Sequence, residues 1–133
     1  MPHNLAVDDA YEEKRDSFRI NTVLPLTFRL EGEAAQPLPK PTPINLSLGG
    51  AGLLTERCFA PGDSLSLVIF LPSGPPIQAQ AKVVRSVPLS EPRMEPTYQI
   101  GLQFLTLDER NRERLNTYIF KLQVERRRTR FDV

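Results

Sequence analysis

Thirteen prolines punctuate this chain of 133 residues, about twice the share that a globular sequence ordinarily carries. They gather in QPLPKPTP (36–43), LPSGPP (71–76) and VPLSEPRMEP (87–96). Proline fixes φ and lacks the N–H that a helix interior or a central strand must donate, so these clusters are expected to join elements rather than lie within them. What remains between them is short. In 63–71, Leu65, Leu67, Ile69 and Leu71 fall on one face at a period of two. In 77–87, Ile77, Ala79, Ala81 and Val83 alternate with Gln78, Gln80 and Lys82, and in 97–105 Tyr98, Ile100, Leu102 and Phe104 alternate with Gln99, Gly101 and Gln103. The runs 19–30, 42–48 and 51–57 have the same short, β-branched or alternating character. Six such strands parted by turn signals predict an all-β fold, an antiparallel sheet that closes or nearly closes so that its edges are not left open.

After residue 105 the period changes. Leu115, Tyr118, Ile119 and Leu122 recur at helical spacing behind Thr106-Leu107-Asp108-Glu109, which reads as a capping box with Thr106 as the N-cap. This predicts a terminal helix over about 107–125 whose apolar stripe packs against the barrel or caps its end. The domain proper is expected to span 13–123, with the barrel over about 19–105. Residues 1–12 read as a flexible polar tail, and 126–133, with Arg126, Arg127, Arg128 and Arg130, as a basic tail in solvent.

Composition removes several classes of chemistry. The only cysteine is Cys58 and the only histidine is His3, so an internal disulfide is impossible and a Cys/His zinc site lacks ligands. A nucleophile–histidine pair would have to use His3 in the tail. Cys58 reads as a small half-buried core residue rather than a nucleophile. Carboxylates are scattered, none paired within an apolar run, and no phosphate-binding glycine loop of the Walker or dinucleotide type is present. The expectation is a protein that is not an enzyme and uses no metal or cofactor. A net charge of +1 gives no global field for DNA or RNA, and with no Trp and 8% aromatics there is little to stack single-stranded bases. No apolar run reaches the roughly 20 residues needed to span a bilayer, and the N-terminus lacks the apolar centre of a signal peptide, so the cytoplasm is the expected location.

Two short elements are not explained by packing. Arg15-Asp16-Ser17-Phe18-Arg19 places two arginines four apart just before the first strand. Asn45-Leu46-Ser47-Leu48-Gly49-Gly50 lies where the second strand turns into the third; Asn45 and Ser47 are two apart and so share a face. There the glycines are expected to allow positive φ, with Gly50 leaving room for a ligand close to the backbone.

RxxxR (Arg15, Arg19) followed by [D/N]xSxxG (Asn45, Ser47, Gly50) resembles the signature of PilZ domains. The resemblance runs from about Glu13 to Lys121 and takes in Val83-Val84-Arg85 and Tyr98–Phe104, which look like the family's later strands. It implies a six-stranded antiparallel β-barrel with a C-terminal helix that binds the bacterial second messenger cyclic di-GMP. Its implied contacts are Arg15, Arg19, Asn45, Ser47 and Gly50. Lys14, Gly49 and Arg85 are secondary candidates, with Lys14 bearing on whether one or two ligand molecules bind. An unidentified protein partner is expected to read the ligand-bound state, with the chain a monomer or a dimer. The alternative the resemblance carries is a protein-interaction module of pilus assembly or motility that does not bind the nucleotide.

Overall fold

In the computed structural model, which describes residues 19–34, 37–89 and 97–131, the period-two runs form six strands. They are β1 (Ile20–Leu30), β2 (Lys40–Leu46), β3 (Gly50–Thr55), β4 (Ser64–Ile69), β5 (Ile77–Leu89) and β6 (Thr97–Thr106). All pairings are antiparallel, and the sheet closes in the order β1-β2-β3-β6-β5-β4, with β4 returning to β1. Among the described residues the outcome is therefore the six-stranded barrel that the sequence pattern and the resemblance imply. Lys14, Arg15 and the 1–12 tail lie outside the described residues.

The alternation decides which side chains fill the barrel. Leu65, Leu67, Ile69, Ile77, Ala81, Val83 and Ile100 are all at most 1% exposed, joined by Leu24, Leu26, Ile44, Leu46 and Leu53 from β1 to β3. Burying one aliphatic side chain of this size contributes about 1.5–3 kcal/mol, so this interior is the main source of stability. The residues on the other parity of each strand face outward.

Prolines do enter strands, contrary to the expectation. Pro25 lies in β1 opposite Pro41 of β2, and Pro43 stands opposite Val23. All three share one parity. Pro41 and Pro43 precede Ile44, where the pairing of β2 with β3 begins, and the β1–β4 ladder begins at Leu26, just after Pro25. Their missing N–H groups therefore point where no neighbouring strand asks for a donor, and a proline costs the ladder nothing there.

The helix α1 (Glu109–Phe131) differs from expectation at both ends. Its cap is Asp108, not Thr106: the Asn111 N–H donates to Asp108 Oδ1 (2.7 Å) and the Arg112 N–H to the Asp108 carbonyl (2.9 Å). Its end runs through the supposed tail to Phe131, because arginine is a strong helix former and cations suit the carbonyl end of the helix dipole. Leu115 and Ile119 are fully buried on the barrel, with Tyr118 and Leu122 packed beside them, while Arg126, Arg127 and Arg128 are exposed. Two polar contacts tie α1 to the start of β1, Tyr118 Oη to Thr22 Oγ1 (3.0 Å) and Gln123 Nε2 donating to the Arg19 carbonyl (3.2 Å). Cys58 is exposed rather than half-buried; the turn after β3 sends its neighbour Phe59 inward instead. Among the described residues no helix is long and apolar enough to cross a membrane.

Candidate ligand-binding groove

The β2–β3 turn is held by its own polar groups. The Ser47 N–H and hydroxyl both donate to the Gly50 carbonyl (3.0 and 3.2 Å), and the Gly49 carbonyl accepts from Phe104 N–H of β6 (2.9 Å). The glycines do not act as expected. Neither has positive φ, a conformation reserved here for Gly32, Gly62 and Gly74. A Cβ on Gly50 would lie 1.9 Å from the Leu102 carbonyl oxygen, so Gly50 lets β3 pass close to β6, and the space beside it is filled by backbone rather than left for a ligand. Gly49 is the open one, with nothing within 4 Å of where its Cβ would be.

From this turn an open groove of about 1250 Å³ extends across the outside of the barrel. Arg19, Asn45, Ser47, Gly49, Gly50 and Arg85 all line it. Asn45 of β2 and Ser47 just after it both line the groove, as their spacing of two suggests. Asn45 Nδ2 donates to Asn21 Oδ1 (2.7 Å), the residue opposite it on β1, which fixes the amide and leaves Asn45 Oδ1 without a hydrogen-bond partner among the described residues. Ser47 already directs its proton at Gly50, so toward a ligand it offers lone pairs unless the hydroxyl turns. Arg19 is exposed just before β1, its carbonyl held by Gln123 of α1.

Arg85 reaches the groove by a different device. Strict alternation from Ile77 would carry Arg85 onto the core face. A bulge prevents this: Val83 pairs with Leu102 and Arg85 with Gly101, which leaves Val84 as an extra residue. After it the parity flips, and Arg85 is exposed with its side chain against Gly101, Nε 3.9 Å from where a Cβ would be. Among the described residues it has no acidic or hydrogen-bonding partner.

Sequence reasoning missed Asn21, Gly52, Gln99, Gly101 and Gln103, which also line the groove. The interior glycines of two alternating runs were a visible signal, but their meaning depends on register. Two guanidinium groups, amides and a hydroxyl surround this surface, and no carboxylate lines it among the described residues. The groove is thus locally cationic in a chain of nearly neutral charge, and it suits a planar, polar, anionic ligand.

A family model described as the PilZ domain matches residues 13–121. The chain belongs to the PilZ family. Solved PilZ structures share its fold. The PilZ domain of YcgR from Escherichia coli with c-di-GMP is 19% identical, with a TM-score of 0.60 over 86% of this chain and 95% of that one. The inhibitor of motility MotI/DgrA of Bacillus subtilis is 24% identical (TM-score 0.62; 80% and 49% covered). A pathogenic protein of Xanthomonas campestris, a tetrameric PilZ domain self-assembled through a helical bundle, is 14% identical (TM-score 0.63; 84% and 90% covered). The chain thus spans about half the length of MotI and nearly all of the other two. No curated protein sequence matches it.

Proposed function

We propose that this PilZ domain is a cytoplasmic receptor for cyclic di-GMP that acts by binding and not by catalysis. The observation that carries the reading is the convergence of Arg19, Asn45, Ser47 and Arg85 on one groove that no carboxylate lines among the described residues. Cyclic di-GMP offers two phosphates and two guanines. An arginine fork can bond bidentately to a phosphate or to the O6/N7 edge of guanine. The relative YcgR was solved with this ligand, which supports the same assignment here.

In this reading the segment that carries Lys14, Arg15 and Arg19 closes over the ligand from the side of β1. Arg15 and Arg19 clamp the nucleotide against Asn45, Ser47 and the Gly49–Gly50 turn. Because the Arg19 carbonyl is bound by Gln123, the clamp forms next to α1, and the surface made by the closed segment and the helix is what a protein partner would read.

Calorimetric titration with cyclic di-GMP, with GTP and cyclic GMP as controls, tests the reading. Saturable, selective binding is expected, with the molar ratio giving one or two ligands per chain. Arg19→Ala is expected to weaken it by about 1.5–3 kcal/mol, the scale of a charge-assisted hydrogen bond. Ligand should also shield residues 1–19 from protease. A folded protein that binds none of these nucleotides would hand the groove to the protein-interaction reading.

A further inference from the structure

Register sets five residues in one row across five adjacent strands, all on the outside of the barrel. Asn21 of β1 stands opposite Asn45 of β2, Asn45 opposite Gly52 of β3, Gly52 opposite Gly101 of β6, and Gly101 opposite Arg85 of β5. At about 4.8 Å between strands, Asn45 and Arg85 are roughly 14 Å apart with two glycines between them, and the Arg85 side chain leans back over Gly101.

A methyl group would fit at both of these glycines. Neither has positive φ. A Cβ on Gly52 would come no closer than 3.6 Å to the Asn45 Cβ, and one on Gly101 no closer than 3.6 Å to the Arg85 Cβ, both ordinary contact distances. Gly50, two residues away, is the contrast, since its Cβ would collide with backbone at 1.9 Å. Glycine inside a strand costs roughly 0.5–1 kcal/mol relative to alanine. Two facing glycines that alanine could replace carry a cost; mid-strand glycine marks a bulge or a close approach of a ligand or another backbone, and while Gly101 pairs beside the Val84 bulge, Gly52 has no bulge opposite it.

We propose that the Gly52–Gly101 floor is a nucleobase seat, and that Arg85 makes it selective for guanine. The inference rests on the receptor reading above and assigns the seat within that site. A flat floor admits the face of a planar ring. Arg85, brought outward by the Val84 bulge and unpaired among the described residues, lies against Gly101 and carries a fork of parallel donors. Guanine matches them with O6 and N7, both acceptors, whereas adenine puts an amino donor at the same place and clashes electrostatically with the fork. On the opposite side Asn45 Oδ1, its amide held by Asn21, is an acceptor for the N1–H and 2-amino group of guanine. Gln99 and Gln103 flank the floor along β6 and, carrying both a donor and an acceptor, discriminate less.

The test is titration of the whole chain with cyclic di-GMP and cyclic di-AMP, with melting curves for every variant. Gly52→Ala and Gly101→Ala are expected to melt at or above the wild-type temperature and yet to bind cyclic di-GMP roughly tenfold more weakly, since a methyl group lifts the base from the floor. Arg85→Gln is expected to lower cyclic di-GMP affinity roughly ten- to a hundredfold, the range of one bidentate base contact, and to leave cyclic di-AMP binding unchanged. Arg85→Lys should fail to restore selectivity, because it keeps the charge and loses the fork. Rescue by lysine, or an equal loss for both ligands, would overturn the guanine assignment in favour of a phosphate contact. If Arg19→Ala loses binding while all four seat variants bind as wild type does, the seat is refuted and the receptor reading stands. If the wild-type protein binds neither dinucleotide, both fall together.

Discussion

Two regions of this barrel treat arginine in opposite ways. At the corner where the chain leaves β3, Arg57 commits its donors within the molecule. Its Nη2 donates to Glu33 Oε1 at 2.5 Å, and its guanidinium lies 5.2 Å from the centre of the Phe59 ring. That ring in turn meets Phe28 edge-on, and Arg29 donates to the Glu33 carbonyl, so five side chains close the β1–β2 loop on the β3–β4 loop. In the groove, Arg19 and Arg85 have no such partners among the described residues, although acidic side chains are nearly as plentiful in the chain as basic ones. Solvation alone explains a single unpaired arginine. Two beside one groove, one of them turned outward by a bulge, fit the proposed reading in which the groove holds charge for a ligand.

The largest effect expected separates support from site within the groove itself. Gly50→Ala would drive a methyl into the Leu102 carbonyl, where only backbone can give way, and is expected to cost about 3 kcal/mol or more in denaturant unfolding. Gly52→Ala at the neighbouring outward position should leave stability equal or slightly higher. If the two variants unfolded alike, the distinction between a packing glycine and a floor glycine would be lost. A smaller effect is expected at Asn21, whose side chain holds the Asn45 amide. Asn21→Ala should weaken cyclic di-GMP binding by about 0.5–1.5 kcal/mol, the net worth of one hydrogen bond, and the loss should disappear in an Asn45→Ala background. Additive losses would mean that Asn21 acts independently.

The arginines themselves offer a crossed test. Arg57→Ala is expected to lower the melting temperature slightly and leave ligand affinity unchanged, because its partners lie outside the groove. Arg85→Ala is expected to do the reverse. Should Arg57→Ala weaken ligand binding as much as Arg85→Ala, pairing would be no guide to function in this molecule.

How far the sequence announced this depends on which element is asked. The barrel was legible because period-two apolar runs can bury one face only as strands, and the turn motif was legible because Asn45, Ser47 and the glycines are contiguous. The cap lies two residues later than the sequence pattern suggests, because Thr106 and Asp108 are both good N-caps. The length of α1 was cut short because a run of arginines reads as solvated tail whether or not it is helical. Asn21, Gly52 and Gly101 escaped notice for a deeper reason. They become neighbours only through the registers of three separate ladders, and no local pattern encodes a register. Arg85 drew attention, but the bulge that turns it outward is invisible in an alternating run.

The smallest effect concerns pH at the Glu33–Arg57 corner. The hydrogen bond from Arg57 holds the Glu33 carboxyl below its ordinary value, with the charges of Arg57 and Arg29 adding to it, while Glu33 raises Arg57 in return. Because the folded state holds Glu33 ionised more firmly than the unfolded chain does, the unfolded chain binds its proton first as acid is added. The pair therefore contributes stability above the ordinary glutamate range and loses it as pH falls through the lowered value. Both side chains are well exposed (52% and 37%), so the contribution is screened and should shrink further in salt. Melting curves of the wild type and Glu33→Gln should differ slightly at neutral pH and converge under acid, with the variant never the more stable of the two. Cyclic di-GMP affinity at neutral pH should be the same for both. An affinity that moved with Glu33 would mean that the corner and the groove are coupled through β1, which runs from Asn21 at one to Arg29 at the other, and the separation between structural and unpaired arginines would have to be given up.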